Sequence, residues 1–193
     1  MVTSTSQVKE LRERTGAGIM DCKRALDESS GDLDHAMAVL RQQGLAKADK
    51  KAGRVASQGI IEPYIHSGGR IGAIVEVNCE TDFVARTADF RDLAHDLAMQ
   101  VAATSPRFVT EDEIPSDAMP ELEREFGDRR RALEAVSLLD QPFIRDGRQT
   151  IRDVIKERIA KLGENIIVRR FSRFEVGAGV GPAAAVTTPD QPS

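Results

Sequence analysis

The sequence predicts an α+β protein, with a trio of short helices leading into a core of a small antiparallel sheet and packed helices. Three observations carry this expectation. Residues 1–45 hold three apolar stripes of helical period, separated by breaks at Thr15-Gly16-Ala17-Gly18 and Ser30-Gly31-Asp32. Two strand-like runs, 59–66 and 70–78, flank a Ser67-Gly68-Gly69 turn and read as a hairpin. Beyond the hairpin, helix-period segments alternate with one more long strand pattern. Composition agrees: 40% hydrophobic, 30% charged and 4% aromatic residues suit a helix-rich chain with modest strands.

Each element has a local cause. Ser4 and Gln7 are spaced as a capping box, and Val8 and Leu11 follow on one face of the first helix. Ile19, Cys22 and Leu26 mark the inner face of the second helix. Asp32 caps the third, where Leu33, Ala36, Met37 and Leu40 give the i, i+3, i+4, i+7 pattern, and Gly44 is expected to end it. Residues 46–58 form an expected linker with Lys47, Lys50, Lys51 and Arg54 as a basic strip. In the hairpin Ile71, Ala73, Val75 and Val77 share one face. Phe90, Leu93, Ala94, Leu97 and Val101 line the next helix, which Ser105-Pro106 stops, and Arg107-Phe108-Val109 reads as a short strand. From Glu111 to Arg131 short helices and turns are expected. Thr150 caps a helix with Ile151, Val154, Ile155, Ile159 and Leu162 inward, closed by Gly163. Residues 165–176 read as a long strand, an edge strand given its three arginines, and 177–193 as a disordered tail rich in Ala, Gly, Pro and Thr.

Several function classes are disfavoured. Twenty-seven basic against 31 acidic residues leave a net charge of −4, the wrong sign for general nucleic-acid affinity. Cys22 and Cys79 lie far apart without a CxxC spacing, so zinc and disulfide frameworks are not expected, and both read as small buried residues. His35, His66 and His95 fall on different elements with no nucleophile at a suggestive spacing. No run approaches the ~18 apolar residues of a membrane span, and the start lacks a secretion-signal pattern, so a reducing, cytoplasmic setting is expected. No catalytic set and no cofactor are expected.

The richest stretch is Cys79-Glu80-Thr81-Asp82-Phe83-Val84-Ala85-Arg86, where a strand pattern stops and a helix pattern starts. Two readings compete for it. In one, Thr81 or Asp82 caps an ordinary helix and Phe83 folds back into the core. In the other, the acid and the ring are displayed at an element end, where binding chemistry is commonly carried.

Residues 8–18, Met20-Asp21-Cys22-Lys23, 76–85, Gln141-Pro142-Phe143 and 173–177, in this order, resemble the elongation factor Ts family, guanine-nucleotide exchange factors of elongation factor Tu. The resemblance implies that residues 1–45 form a ubiquitin-associated-like docking module, 46–58 a linker and 59–176 the family's α+β core. It implies elongation factor Tu as partner, with Thr81, Asp82, Phe83 and Val84 intruding beside that partner's magnesium site; Lys23, on the outer side of the second helix, and Arg86 are weaker candidate contacts. No stable nucleic acid and no membrane are expected as partners. The chain has room for one core module rather than two, so two copies are expected to pair through the strand carrying Phe171 and Phe174. A translation-associated RNA binder using Lys47 to Arg54 is the alternative.

Overall fold

A computed structural model describes residues 4–178, so all but the first two residues of the expected tail lie outside the described residues. The chain folds as α+β. Helices α1 (Thr5–Thr15), α2 (Ile19–Glu28) and α3 (Leu33–Asp49) come first. Strands β1 (Gln58–Ile65) and β2 (Ile71–Cys79) follow, then the four-residue α4 (Asp82–Ala85) and the long α5 (Ala88–Thr104). A helical pair, α6 (Met119–Phe126) and α7 (Arg129–Val136), precedes a small ribbon of β3 (Pro142–Phe143) and β4 (Asp146–Thr150). Helix α8 (Ile151–Leu162) and strand β5 (Ile167–Glu175) complete it.

The main sheet has the order β1-β2-β5, both pairings antiparallel. β2 is therefore the central strand, and β5 is an outer one, as its arginines suggested. Ala73, Val75 and Val77 point inward from β2, against Phe90, Leu93, Leu97 and Val101 of α5 and Ile151, Ile155 and Ile159 of α8. Full burial of each large side chain there contributes roughly 1.5–3 kcal/mol. The first helices enclose a separate cluster around Leu11, Cys22, Leu26 and Leu40. A third cluster, with Met119, Leu122 and Val136, holds α6 against α7.

Three expectations are corrected. Helix α3 does not end at Gly44 but runs through it to Asp49. The glycine serves a close approach: a Cβ added there would stand 3.0 Å from the Ala160 Cβ on α8. Ion pairs Arg41–Glu157 and Asp49–Lys156, both 2.8 Å, flank the crossing. Arg107-Phe108-Val109 forms no strand, only an isolated bridge from Phe108 to Ser137. Its partner segment curls into a 3-10 turn at Leu138–Asp140, so no ladder can propagate. Ile19 is not on the inner face of α2 but exposed, as is Met20; Cys22, Ala25 and Leu26 are the buried residues of that helix.

Between α5 and β3 lies a buried amide network. Gln100 Nε2 donates to Gln141 Oε1 and to the Pro142 carbonyl, both at 3.1 Å, while Gln100 Oε1 accepts from Ile144 N at 3.0 Å. Thr104 Oγ1 donates to the same Gln141 oxygen at 2.6 Å. Satisfied on all sides, these groups fix the Gln141-Pro142-Phe143 segment against α5.

Because α3 and α8 touch at a glycine, Gly44→Leu is expected to lower the unfolding free energy by about 1–3 kcal/mol through overpacking. Ala160→Gly in the same chain should recover part of the loss, measured by urea denaturation of both variants.

Candidate functional site

The site is built where β2 ends. Thr81 has extended backbone and caps α4, its Oγ1 accepting from Val84 N at 3.4 Å. Thr87 then caps α5, accepting from Phe90 N at 3.3 Å, and its hydroxyl donates to the Val84 carbonyl at 2.8 Å. Two caps six residues apart make a one-turn helix whose inner side is taken by buried Ala85 and half-buried Val84. Phe83 has no room on that side. The residue is 77% exposed, so the reading in which it folds back into the core does not hold, although Thr81 is the cap. Phe90, one turn into α5, fills the core position instead.

Asp82 is half-buried and pairs with exposed Arg86 at 2.5 Å, one helical turn on. Thr81, Asp82, Phe83, Val84 and Arg86 are thus brought together on one short element. Lys23 is not among them: it is exposed on α2, in the helical trio, whose apolar cluster is separate from the one beneath α4. Its neighbours on that helix include Ile19 and Met20, and Ile19 shares its face at i, i+4.

The loop is held from behind by Glu164 and Asn165, which follow α8. Glu164 Oε2 accepts from the Glu80 and Thr81 amides at 3.1 and 2.9 Å, and Glu164 Oε1 accepts from the Thr81 hydroxyl at 2.6 Å. In return Glu80 Oε1 accepts from Asn165 N at 2.7 Å. Buried Asn165 donates through Nδ2 to the carbonyls of Ala52 and Arg54 at 3.3 and 2.8 Å. The available signal was Gly163-Glu164-Asn165, an acid and an amide placed directly after a helix-closing glycine.

Cys79 also faces this loop. Its thiol donates to the Thr81 carbonyl at 3.1 Å. Burial, reinforced by the Glu164 and Asp82 carboxylates, pushes its pKa up to about 11 against the hydrogen bond's opposing effect, so it stays a protonated structural group. Cys22 is buried in the trio, its thiol turned to the Ala17 carbonyl. Among the described residues no group of three His, Cys, Asp or Glu side chains is placed to hold a metal. No helix among them is long and apolar enough to cross a membrane.

The basic strip is largely engaged within the chain. Lys47 pairs with Asp21 at 3.1 Å, Lys51 Nζ donates to the Gly163 carbonyl at 2.6 Å, and Arg54 pairs with Glu80 at 3.6 Å. By contrast, the outer face of the sheet carries an exposed apolar patch among the described residues, beside the Arg170–Glu76 ion pair. Ile61 and Ile65 of β1, Ile74 of β2 and Phe174 of β5 are all exposed on it.

A family model described as elongation factor TS matches residues 5–129. Elongation factor Ts of Carboxydothermus hydrogenoformans is 50% identical, over 93% of this chain and 91% of its own length. That of Moorella thermoacetica is also 50% identical, over 92% and 97%. The Herpetosiphon aurantiacus protein is 52% identical, over 92% of this chain and all of its own length. The chain that displays Phe83 at the end of its central strand therefore belongs to the elongation factor Ts family.

Proposed function

We propose that this protein is a guanine-nucleotide exchange factor that binds elongation factor Tu in the cytoplasm and speeds release of GDP without catalysing a reaction itself. The observation that carries the reading is the exposed Phe83 ring on a one-turn helix whose other face is anchored in the core. A bare ring at a rigid tip costs solubility unless a partner receives it. Tight nucleotide binding by a G protein depends on a magnesium ion bridging phosphate oxygens and protein ligands, and that ion demands near-ideal octahedral geometry. A ring wedged between helices that carry those ligands stabilises a conformation with a spoiled site.

Magnitudes set the limits of this device. Burying one Phe contributes ~1.5–3 kcal/mol, and each tenfold in release rate needs ~1.4 kcal/mol. Phe83 alone then supplies at most about two decades. Asp82 enters the contact already paired to Arg86, so its role is to exchange that partner for a group on the G protein. The helical trio adds further affinity as a ubiquitin-associated-like docking module. Its exposed Ile19, Met20 and Lys23 give one apolar and basic face suited to that task. Linkage completes the cycle: the factor by which the protein weakens nucleotide binding is the factor by which nucleotide expels the protein. The RNA-binding alternative loses support because Lys47, Lys51 and Arg54 already have acceptors within the chain.

A single core module calls for a second copy. The outer sheet face, with Ile61, Ile74 and Phe174, together with the free edge of β5, suits self-pairing between two identical chains.

Stopped-flow release of labelled GDP from elongation factor Tu tests the wedge. Phe83→Ala should slow exchange roughly ten- to a hundredfold while melting like the parent; unchanged exchange from the folded variant would exclude the ring. Light scattering at micromolar concentration should give the mass of two chains, and Phe174→Asp that of one. A wild-type monomer with full exchange activity would remove the pairing.

A further inference from the structure

We infer that Glu164 is a positioning residue for Phe83, acting at a distance through the backbone of Glu80 and Thr81; this role rests on the wedge reading above. A four-residue helix cannot hold its own geometry, because a single turn is an unfavourable helix nucleus. Something outside α4 must set the direction in which its exposed ring points. On the α5 side that task falls to Thr87. On the β2 side three donors converge on one carboxylate, that of Glu164: the Glu80 amide, the Thr81 amide and the Thr81 hydroxyl.

The hydroxyl bond is the informative one. By accepting the Thr81 proton at 2.6 Å, Glu164 Oε1 fixes the rotamer of Thr81 and turns its Oγ1 lone pair toward Val84 N, 3.4 Å away. Glu164, Thr81 and Val84 thus form a relay that brackets Phe83 from both sides in sequence. A charged acceptor makes such bonds about twice as strong as neutral ones. The carboxylate is itself well placed. It follows Gly163, whose left-handed backbone (φ 79°) closes α8, and it precedes Asn165, which is buried and bonded to two carbonyls of the α3–β1 connection. The return bond from Asn165 N to Glu80 Oε1 prevents one segment from drifting without the other. Glu164 and Glu80 are half-buried and Asn165 is buried, so their chemistry is directed at the loop rather than at a partner.

The test is a double-mutant cycle with the full chain. Glu164→Ala is expected to lower the maximal GDP release rate at saturating factor about tenfold, equivalent to ~1.4 kcal/mol. Glu164→Gln, which keeps one acceptor oxygen, should lose less. Hydrogen exchange at the Glu80, Thr81 and Val84 amides should quicken in the Ala variant. In a Phe83→Ala background the same change should cost under about twofold, because the group it orients is gone. An equal cost in both backgrounds, or wild-type exchange from Glu164→Ala, overturns the role. If the Ala variant does not fold, the cycle is run with Glu164→Gln and read in the same way. Wild-type exchange from Phe83→Ala alone instead overturns the wedge, and this role with it.

Discussion

Two carboxylates facing each other across the end of the sheet hold the molecule's two informative regions in register. Glu164 takes the amides of Glu80 and Thr81, and Glu80 takes the amide of Asn165. The residues involved are more than 80 positions apart in sequence, yet each satisfies backbone groups that the end of β2 and the end of α8 would otherwise leave without partners. The Glu80 and Asn165 amides are part-buried, so leaving them unpaired would cost a share of the roughly 1–3 kcal/mol of a fully buried donor. This stitch ties the start of α4 to the segment that leads into β5, beyond the register shift at Glu76 and Val77. Asn165 extends the same stitch to the segment after α3, so the helical trio is tied to the same point.

Much of the architecture was legible because local signals and packing agree. Ser4 with Gln7, Thr150, Asp32 and Ser105-Pro106 announce helix ends in a short span of sequence, and α1, α8, α3 and α5 begin or end there. The hairpin was readable from alternation and its glycine turn. What failed did so for nonlocal reasons. Gly44 looks like a helix stop and is a contact point, because only α8, over a hundred residues later, requires its missing side chain. Arg107-Phe108-Val109 has strand composition but meets a turn instead of a sheet edge. Ile19 obeys the helical period and still faces out, since the trio is too small to surround every apolar residue that its pattern offers.

The candidate site was legible as a word and not as a mechanism. The sequence offers Thr81 or Asp82 as the cap, and the structure selects Thr81. Whether Phe83 points in or out was undecidable from the octet alone, because the answer depends on Val84 and Ala85 taking the inner side and on Phe90 filling the core below. The local pattern Gly163-Glu164-Asn165 marks a helix end but not the partner of Glu164, for its meaning lies in the loop it meets across space. Likewise the basic run at residues 47–54 carried no mark of its acceptors on α2 and just past the ends of β2 and α8, which only the fold supplies.

The placement of β2 at the centre of its sheet has a geometric consequence for stoichiometry. The same strand carries Ile74 in the exposed apolar patch of the outer face and delivers Cys79 to the start of the loop bearing Phe83. At ~3.3 Å of rise per residue those two positions are separated by only ~17 Å, whereas even a small domain spans ~30 Å. Whatever covers Ile74 therefore sits within one domain's width of the root of the loop that carries the ring.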